Sequence, residues 1–476
     1  MYFDSSFPAD TLRWLRAGVV LPLALVAGAC AQFPEASERP TPQTPEGLHS
    51  ASSLAASAVA WPDHHWWQAY GDAQLNALIG EALRDSPDMA AAAARLRGAE
   101  AAGAVAGAAL LPQVSANASA ARQRQSGSSD WNEVGRATLD FSWEIDFWGR
   151  NRASLAAATS DLEASRADAA QARLTLASAI ASSYADLAGL YAVRDADEAA
   201  LAVRRHSAQL FTERFASGLE TRSGAKQAEA LLASAEGELL RVDESIGLTR
   251  HALAALVGAG PDRGLTIRRP SVAIRSPEGL PAELAVNLLG RRPDVVAARL
   301  QAEAQAHRID SKRAEFYPNV NLSAFIGFES IGLSNLFKSG SRIGSIGPAV
   351  SLPIFNGGRL RGELKRAQAS YDEAVANYNR TLTQALQDVA DAWLSRKALA
   401  PRLAKAEEAF RAAEQAYRVT LNRYEGGLAS YLEVLTAQDT LLTNQRALTD
   451  LQSRAFTLDV AMTRALGGGY RAPRSY

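Results

Sequence analysis

The chain is written twice. "SPDMAAAAARLRGAEAAGAVAGAALLPQVSANASA", from Ser86, and "RPDVVAARLQAEAQAHRIDSKRAEFYPNVNLSA", from Arg292, align without a gap on two prolines. Pro87 answers Pro293 and Pro112 answers Pro318, both at an offset of 206, with Asp88 on Asp294 and Val114 on Val320. Further along, Gly149-Arg150 answers Gly358-Arg359, Arg214 answers Arg423, Gly218-Leu219 answers Gly427-Leu428 and Gly258 answers Gly467, all at an offset of 209. Two ordered sets of matches at nearly one offset mean internal duplication, so the fold has to be built from two like halves.

Each copy carries one order of elements: a helix, two alternating strands, a very long helix, a tight turn and another helix. The strands are expected at about 113–125 and 132–148, then at about 319–329 and 345–355. Pro348 and Pro353 fit the last of these only at an edge or an end. The long helices are expected from about Arg152 to Phe215 and from about Arg359 to Tyr424, each roughly 100 Å at about 1.5 Å per residue. In the second, Leu364, Ala367, Tyr371, Ala374, Tyr378, Leu382, Ala385, Val389 and Ala392 follow the threes and fours of a coiled-coil seam. Gly189 and Pro401 fall at matching levels and predict a bend or break, with a tolerated kink as the alternative.

The stretch "ATLDFSWEIDFWG" sets Ala137, Leu139, Phe141, Trp143, Ile145 and Phe147 against Thr138, Asp140, Ser142, Glu144 and Asp146. A strand with one oily and one acidic face divides either a core from water or lipid from water. Strands of about ten residues match the length a tilted transmembrane strand needs. Trp143, Phe147 and Trp148 cluster beside the long helix in the manner of an interfacial girdle. Four strands cannot enclose a pore, and lipid forbids an open sheet edge, so closure requires several chains. Asp140, Glu144 and Asp146 would then line a water-filled lumen, either favouring cations or merely wetting it.

Acids and bases nearly cancel, with 51 Asp+Glu against 50 Lys+Arg, and no basic block marks a nucleic-acid partner. Arg13 and Arg16 precede the apolar run Ala17 to Ala29 as in a secretory signal too short to span as a helix. The single cysteine, Cys30, follows it and is a free thiol or a modified residue. Ala27, Gly28 and Ala29 resemble the lipobox of bacterial lipoproteins, with Ala27 where Leu is usual; Ala31 then points to the outer membrane. These signals and the duplication divide the chain into a signal peptide (1–29), a lipid anchor with flexible tether (30–62), a first repeat (63–258), an inter-repeat segment (259–284), a second repeat (285–470) and a tail (471–476).

His49, His64, His65, His206, His251 and His307 are scattered, without the spacing of a metal site. "DHHWW" (Asp63 to Trp67) reads as a docking loop and not as a metal site. "GAVAG" (Gly103 to Gly107) reads as close helix packing. No phosphate-cradling loop, nucleophile elbow or cofactor fingerprint occurs, so no cofactor, metal or catalysis is expected.

"WEIDFWGRNR", "LGRRPDVVAAR", "KRAEFYPNVNLSA", "GPAVSLPIFNGGRLRGEL", "RYEGGL" and "ALGGGY" resemble, in order, the motifs of the outer-membrane efflux factors. These are the TolC-like lipoproteins that serve resistance-nodulation-division pumps. The resemblance covers about Trp61 to Tyr470 and implies a mainly helical homotrimer. Its outer-membrane β-barrel, four strands from each chain, continues into a periplasmic helical tube. It further implies that the turns "RFASGLETRS" and "RYEGGLASYL" meet a periplasmic adaptor through Gly218, Leu219, Gly427 and Leu428. There Arg214, Glu220, Arg222, Arg423, Tyr424 and Glu425 would hold a resting channel shut. The function implied is a passive exit duct for small toxic compounds, energised by an inner-membrane pump. A duct for secreted polypeptides is the alternative; a trimeric coiled-coil adhesin would place strands at one terminus only.

Overall fold

A computed structural model describes residues 39–124, 131–272, 279–282 and 284–472. The expected signal peptide and Cys30 lie outside the described residues. In chain order the elements are β1 (Ala58–Val59), α1 (Ala73–Asp85), α2 (Pro87–Ala108), β2 (Gln113–Arg124), β3 (Trp131–Ile145), α3 (Arg150–Ala216), α4 (Arg222–Val257) and α5 (Asp262–Leu265). They continue with β4 (Leu280–Pro281), α6 (Leu284–Arg291), α7 (Pro293–Ala314), β5 (Asn319–Ile331), β6 (Arg342–Ser351), α8 (Arg359–Glu425) and α9 (Tyr431–Ala465).

The duplication is structural. α2 and α7 start and end 206 residues apart (293 − 87 and 314 − 108), and the ends of β3 and β6 differ by the same number (351 − 145). α3 and α8 are both 67 residues long and start 209 apart (359 − 150). The extra three residues therefore lie between strand and long helix, where 352–358 replaces 146–149. The C-terminal glycines match too. A Cβ on Gly258 would meet Pro87 Cδ at 2.9 Å and one on Gly467 would meet the Arg291 carbonyl oxygen at 2.0 Å, and both have positive φ. In each copy the last helix thus closes against the junction before its own α2 or α7, where no side chain fits.

The described residues form two compact units. One holds the four long strands β2, β3, β5 and β6, in 99–162 and 300–376 with residues 39–42; the other holds 43–98, 163–299 and 377–472, with the short pair β1 and β4. In the first unit the strand order is β2-β3-β5-β6, all antiparallel, so the two hairpins dock through β3 and β5 and leave β2 and β6 as edges. Pro348 is on edge strand β6, where a missing N–H is tolerated, and Pro353 falls beyond it. Directly opposed residues share a face. Glu144 opposes Asn321, and Ser142 opposes Gln113 and Ser323, on the polar face. Leu139 opposes Ala116 and Ile326 on the apolar face.

The second unit buries its largest core around Trp66, Trp67, Tyr70, Tyr184 and Phe456, with Leu75, Leu78 and Ile79 of α1. The "DHHWW" loop docks by its tryptophans, and Tyr70 Oη donates to Asp459 Oδ2 at 2.7 Å. Helical backbone runs unbroken through Gly189 and Pro401, so the expected break does not occur. Gly189 instead admits Ser453 of α9, whose Cβ would be 3.1 Å from an added Cβ. Gly103, expected to pack closely, has open space around it within one chain.

The segment expected as a flexible tether is seated from Arg39 onward. Arg39 pairs with Asp310 at 3.5 Å and lies over the Tyr371 ring, whose hydroxyl donates to the Pro40 carbonyl at 3.3 Å. In the second unit the Gln43 amide donates to Asn379 Oδ1 at 2.9 Å, and Leu48 packs beside Tyr378 and Leu382. Extended, proline-rich backbone leaves its polar groups free for such partners.

Candidate functional site

Two regions carry the residues singled out by sequence. In the sheet, Asp140 accepts from Asn117 Nδ2 at 2.9 Å and from Thr138 Oγ1 at 2.8 Å, on the polar face. Glu144 accepts from Arg150 at 2.5 Å. Asp146 falls one residue past β3 and accepts from the backbone N–H groups of Asn151 and Arg152 at 3.1 and 2.9 Å. It thereby satisfies first-turn donors of α3. Higher on this face Arg136 pairs with Glu329 at 3.0 Å, so most of its charge is compensated. At the helix end, Trp143 Nε1 donates to the Leu110 carbonyl at 3.1 Å and Trp148 Nε1 to that of Pro318 at 2.9 Å. The Trp148 ring stacks on Tyr317 at 4.4 Å. Trp143, Phe147 and Trp148 all remain exposed.

The sheet edges decide what this region can be. All twelve residues of β2 are exposed, and its outer backbone groups face no strand among the described residues. A sheet with one apolar face and two open edges is compatible with a bilayer only when those edges are paired.

The second region is the pair of helical turns. Both end in the same hydrogen-bonded cap: Leu219 N–H donates to the Arg214 carbonyl at 2.8 Å and Leu428 N–H to that of Arg423 at 2.7 Å. Gly218 and Gly427 bond three residues back at 3.0 Å, with φ of +73° and +74°. This six-to-one and five-to-two pattern needs a left-handed residue, which is why glycine stands there. Thr221 and Ser430 then cap α4 and α9 by accepting from Gly224 and Glu433 N–H. Leu219 and Leu428 are left exposed at 67% and 72%, apolar knobs with no cover in the chain.

Behind the knobs the two turns are joined. Tyr424 Oη donates to Glu220 Oε2 at 3.0 Å, and the Arg214 guanidinium lies 4.6 Å above the Tyr424 ring. Burial and the Glu220 carboxylate hold the Tyr424 phenol well above its usual value. Phe211 packs against Tyr431 and Tyr424 at 3.9 and 5.1 Å between centroids. Arg423 donates to the Leu428 carbonyl at 3.1 Å, within its own turn. Arg222 and Glu425 are exposed and have no hydrogen bond or ion pair among the described residues.

Two turns of helix deeper, buried Arg204 bonds Gln438 and Asp439, and Gln438 Nε2 donates to Ser207 Oγ at 3.3 Å. Phe211, Tyr431, Arg204 and Gln438 were not singled out by sequence. Their one signal was a long polar residue, Gln438, at a buried position of α9.

A family model described as outer membrane efflux protein matches residues 78–259 and 284–468, more than half of the chain. The chain belongs to the outer membrane efflux protein family. The fusaric acid resistance protein FusA of Burkholderia cepacia is 36% identical over 367 residues, covering 74% of this chain and 68% of that protein. The multidrug resistance outer membrane protein MdtP of Escherichia coli K12 is 30% identical over 476 residues, 97% of each. The solved structure of the outer membrane protein VceC from Vibrio cholerae superposes with a TM-score of 0.83 at 49% identity, covering 86% of this chain and 100% of that one. The chain is thus an outer-membrane efflux duct extending into the periplasm, in a family of channels and not of enzymes. Each copy of the duplicated fold carries its own match to the family model.

Proposed function

We propose that three copies close their sheets through the β2 and β6 edges into one twelve-stranded barrel that conducts drugs or other small toxic compounds outward. The observation that carries this is a four-stranded sheet with one apolar face and, among the described residues, both edges unpaired. The polar faces, with Asp140 and Glu144, then surround water, and Asp146 sits at the lumen's helical mouth. The named activities of relatives, resistance to fusaric acid and to multiple drugs, support a small-molecule cargo. So does the relative described as a pyoverdine export outer membrane protein.

At the helical end, Gly218, Leu219, Gly427 and Leu428 form the contact for a periplasmic adaptor that couples the duct to an inner-membrane resistance-nodulation-division pump. Exposed leucines held on rigid caps suit docking into a partner's apolar groove. The Tyr424–Glu220 bond, with Arg214 over the ring, braces the closed state inside each chain. Arg222 and Glu425 are the side chains placed to bridge between chains, while Arg423 holds its own turn through the Leu428 carbonyl. Cys30, as the acylated first residue of the mature protein, adds a lipid anchor. The two repeats, at 63–258 and 285–470, act as like halves about the equatorial segment 259–284.

The test is assembly and conductance. Purified full-length protein should be a detergent-borne trimer that forms ion-conducting pores in a planar lipid film, and its gene's disruption should cause drug hypersensitivity with secreted polypeptides unchanged. A water-soluble monomer, or loss of a secreted polypeptide with drug tolerance intact, would defeat the proposal.

A further inference from the structure

Each long strand adjoins a helix in the chain: α2 leads into β2, β3 into α3, α7 into β5 and β6 into α8. Side-chain contacts keep these helices in strand order. Asn151 of α3 donates to the Ala109 carbonyl, just past α2, at 3.2 Å. The Ser154 and Ser311 hydroxyls of α3 and α7 are 2.9 Å apart, and Lys312 of α7 donates to Glu363 of α8 at 3.1 Å. Across this row, from Ala102 of α2 to Ser370 of α8, runs a cavity of about 630 Å³. That size suits a small organic molecule.

The cavity opens on the polar side of the sheet. Arg150, in its wall, reaches Glu144 of the polar face at 2.5 Å. Lys312 and Glu363 also wall a second cavity, together with Glu144, Asn321 and Ser351 of that same face. The N-terminal segment is seated on the other side. Arg39 pairs with Asp310, which is two residues, and hence about 200° around α7, from both Arg308 and Lys312.

Every acid in the wall is already taken. Asp161 pairs with Arg308, Glu315 with Lys312 at 2.7 Å, and Glu363 with Lys312 and Arg359 at 3.1 and 2.8 Å. Arg150 is occupied by Glu144. One base is left over: the exposed Arg366 side chain has no hydrogen bond or ion pair among the described residues. Ser370, one turn further along α8, and Gln305 of α7 have side chains equally without a hydrogen bond there. Ala102, Ala157, Ala158 and Ala367 complete the wall with small apolar surface.

We propose that this cavity is a lumenal way-station for small organic anions. A passing carboxylate bonds to Arg366 with the Ser370 hydroxyl beside it, and the apolar body of the compound lies on the alanines. The inference rests on the duct reading given above, which makes the polar side of the sheet the lumen. A guanidinium grips a carboxylate through parallel N–H donors, and with every neighbouring acid neutralised nothing in the wall favours a cation. A neighbouring copy joined through β2 and β6 adds its helices beside α2 and α8, so three such sites face one lumen.

The experiment uses the full-length protein in detergent and follows fluorine line broadening of three probes that differ in one group: 4-fluorobenzoate, 4-fluorobenzamide and 4-fluorobenzylammonium. Wild type should broaden the benzoate at least about fivefold more than either control, and Arg366→Gln should lower that broadening to the level of the amide. Unlabelled benzoate should reverse the wild-type effect. Arg361→Gln, about 140° around α8 from Arg366, should behave as wild type does. Equal broadening of the three probes by a pore-forming wild type would overturn the site and leave the duct standing. So would an Arg366→Gln variant that binds benzoate undiminished, and if its assembly is also less heat-resistant, Arg366 is a tie between copies instead. A wild type that neither conducts nor partitions into detergent would take down both readings.

Discussion

The turn that closes copy one reads Ser217-Gly218-Leu219-Glu220-Thr221, and that of copy two Gly426-Gly427-Leu428-Ala429-Ser430. Their backbones match bond for bond, yet their side chains have divided the labour. Copy one supplies the acceptor Glu220, and its counterpart 209 residues on is Ala429 (220 + 209). Copy two supplies the donor Tyr424, and its counterpart is the exposed Phe215 (424 − 209). Arg214 covers the Tyr424 ring, while Arg423 spends its guanidinium on its own turn. A duplicated scaffold that needs one geometry twice, but one latch only once, keeps its glycines and lets its polar residues diverge.

The same contrast in the sheet gives the largest expected effect. Gly327 lies where the two hairpins meet, and an added Cβ would be 2.1 Å from the Ala137 carbonyl oxygen and 2.7 Å from Thr138 Cα. Its counterpart in copy one, Ala121 (327 − 206), lies on edge strand β2 opposite Val134 and has the room. Gly327→Ala should cost about 3 kcal/mol or more, because backbone has to move, whereas Ala121→Gly should cost about 1 kcal/mol or less. Heat-resistant assembled protein recovered from outer membranes measures this. Equal recovery of the two variants would mean that the hairpin seam is not the tight contact.

Next comes the latch. Glu220→Ala makes copy one resemble copy two at that position, and Tyr424→Phe removes the donor while keeping the ring. Each should weaken the joint by about 1.5–3 kcal/mol, as expected for a hydrogen bond to a charged group, and raise the resting conductance of single pores. Because both changes cut one bond, the double variant should add little. Fully additive conductance would show that each residue acts through a separate partner, between chains.

The fold class was legible because it rests on long-range regularities: two periods, an offset, and strands of membrane-spanning length. The turns were legible because Gly218 and Gly427 are forced by a left-handed backbone. The partners of the charged residues were not, since Glu220 and Tyr424 are 204 residues apart and meet only after the two copies pack. Asp146 misled in a different way. Alternation carries it onto the strand, but a carboxylate just before a helix is held by free N–H groups, and the strand stops at Ile145. Proline content likewise suggested a loose tether at Arg39 to Leu48, because contacts with Asp310, Tyr371 and Asn379 have no local signature.

A smaller effect is expected from restoring symmetry. Phe215→Tyr alone should leave conductance unchanged, because position 429 offers no acceptor. Phe215→Tyr with Ala429→Glu should install a second latch worth about 0.5–1.5 kcal/mol and lower the resting conductance. If the double graft behaves as the single one, the turns are not related closely enough in space for the swap, and the equivalence ends at the backbone.

The smallest effect is on the alkaline side, and its sign follows from burial. The Tyr431 phenol is pushed from 10.0 up to about 12, chiefly by burial, and that of Tyr424 is raised by burial and by Glu220. The folded tips therefore hold these protons more tightly than the unfolded chain does. Their contribution is complete below pH 10 and is lost as pH climbs toward the folded values. Resting conductance should thus rise reversibly above pH 10. Tyr424→Phe should start from a higher baseline and rise less, since one titrating group of the joint is gone. Phe215→Tyr should leave the profile as it was, because an exposed phenol in copy one titrates alike in both states. An identical alkaline rise in Tyr424→Phe would place the responsible group outside the tips and remove the latch from the explanation of closure.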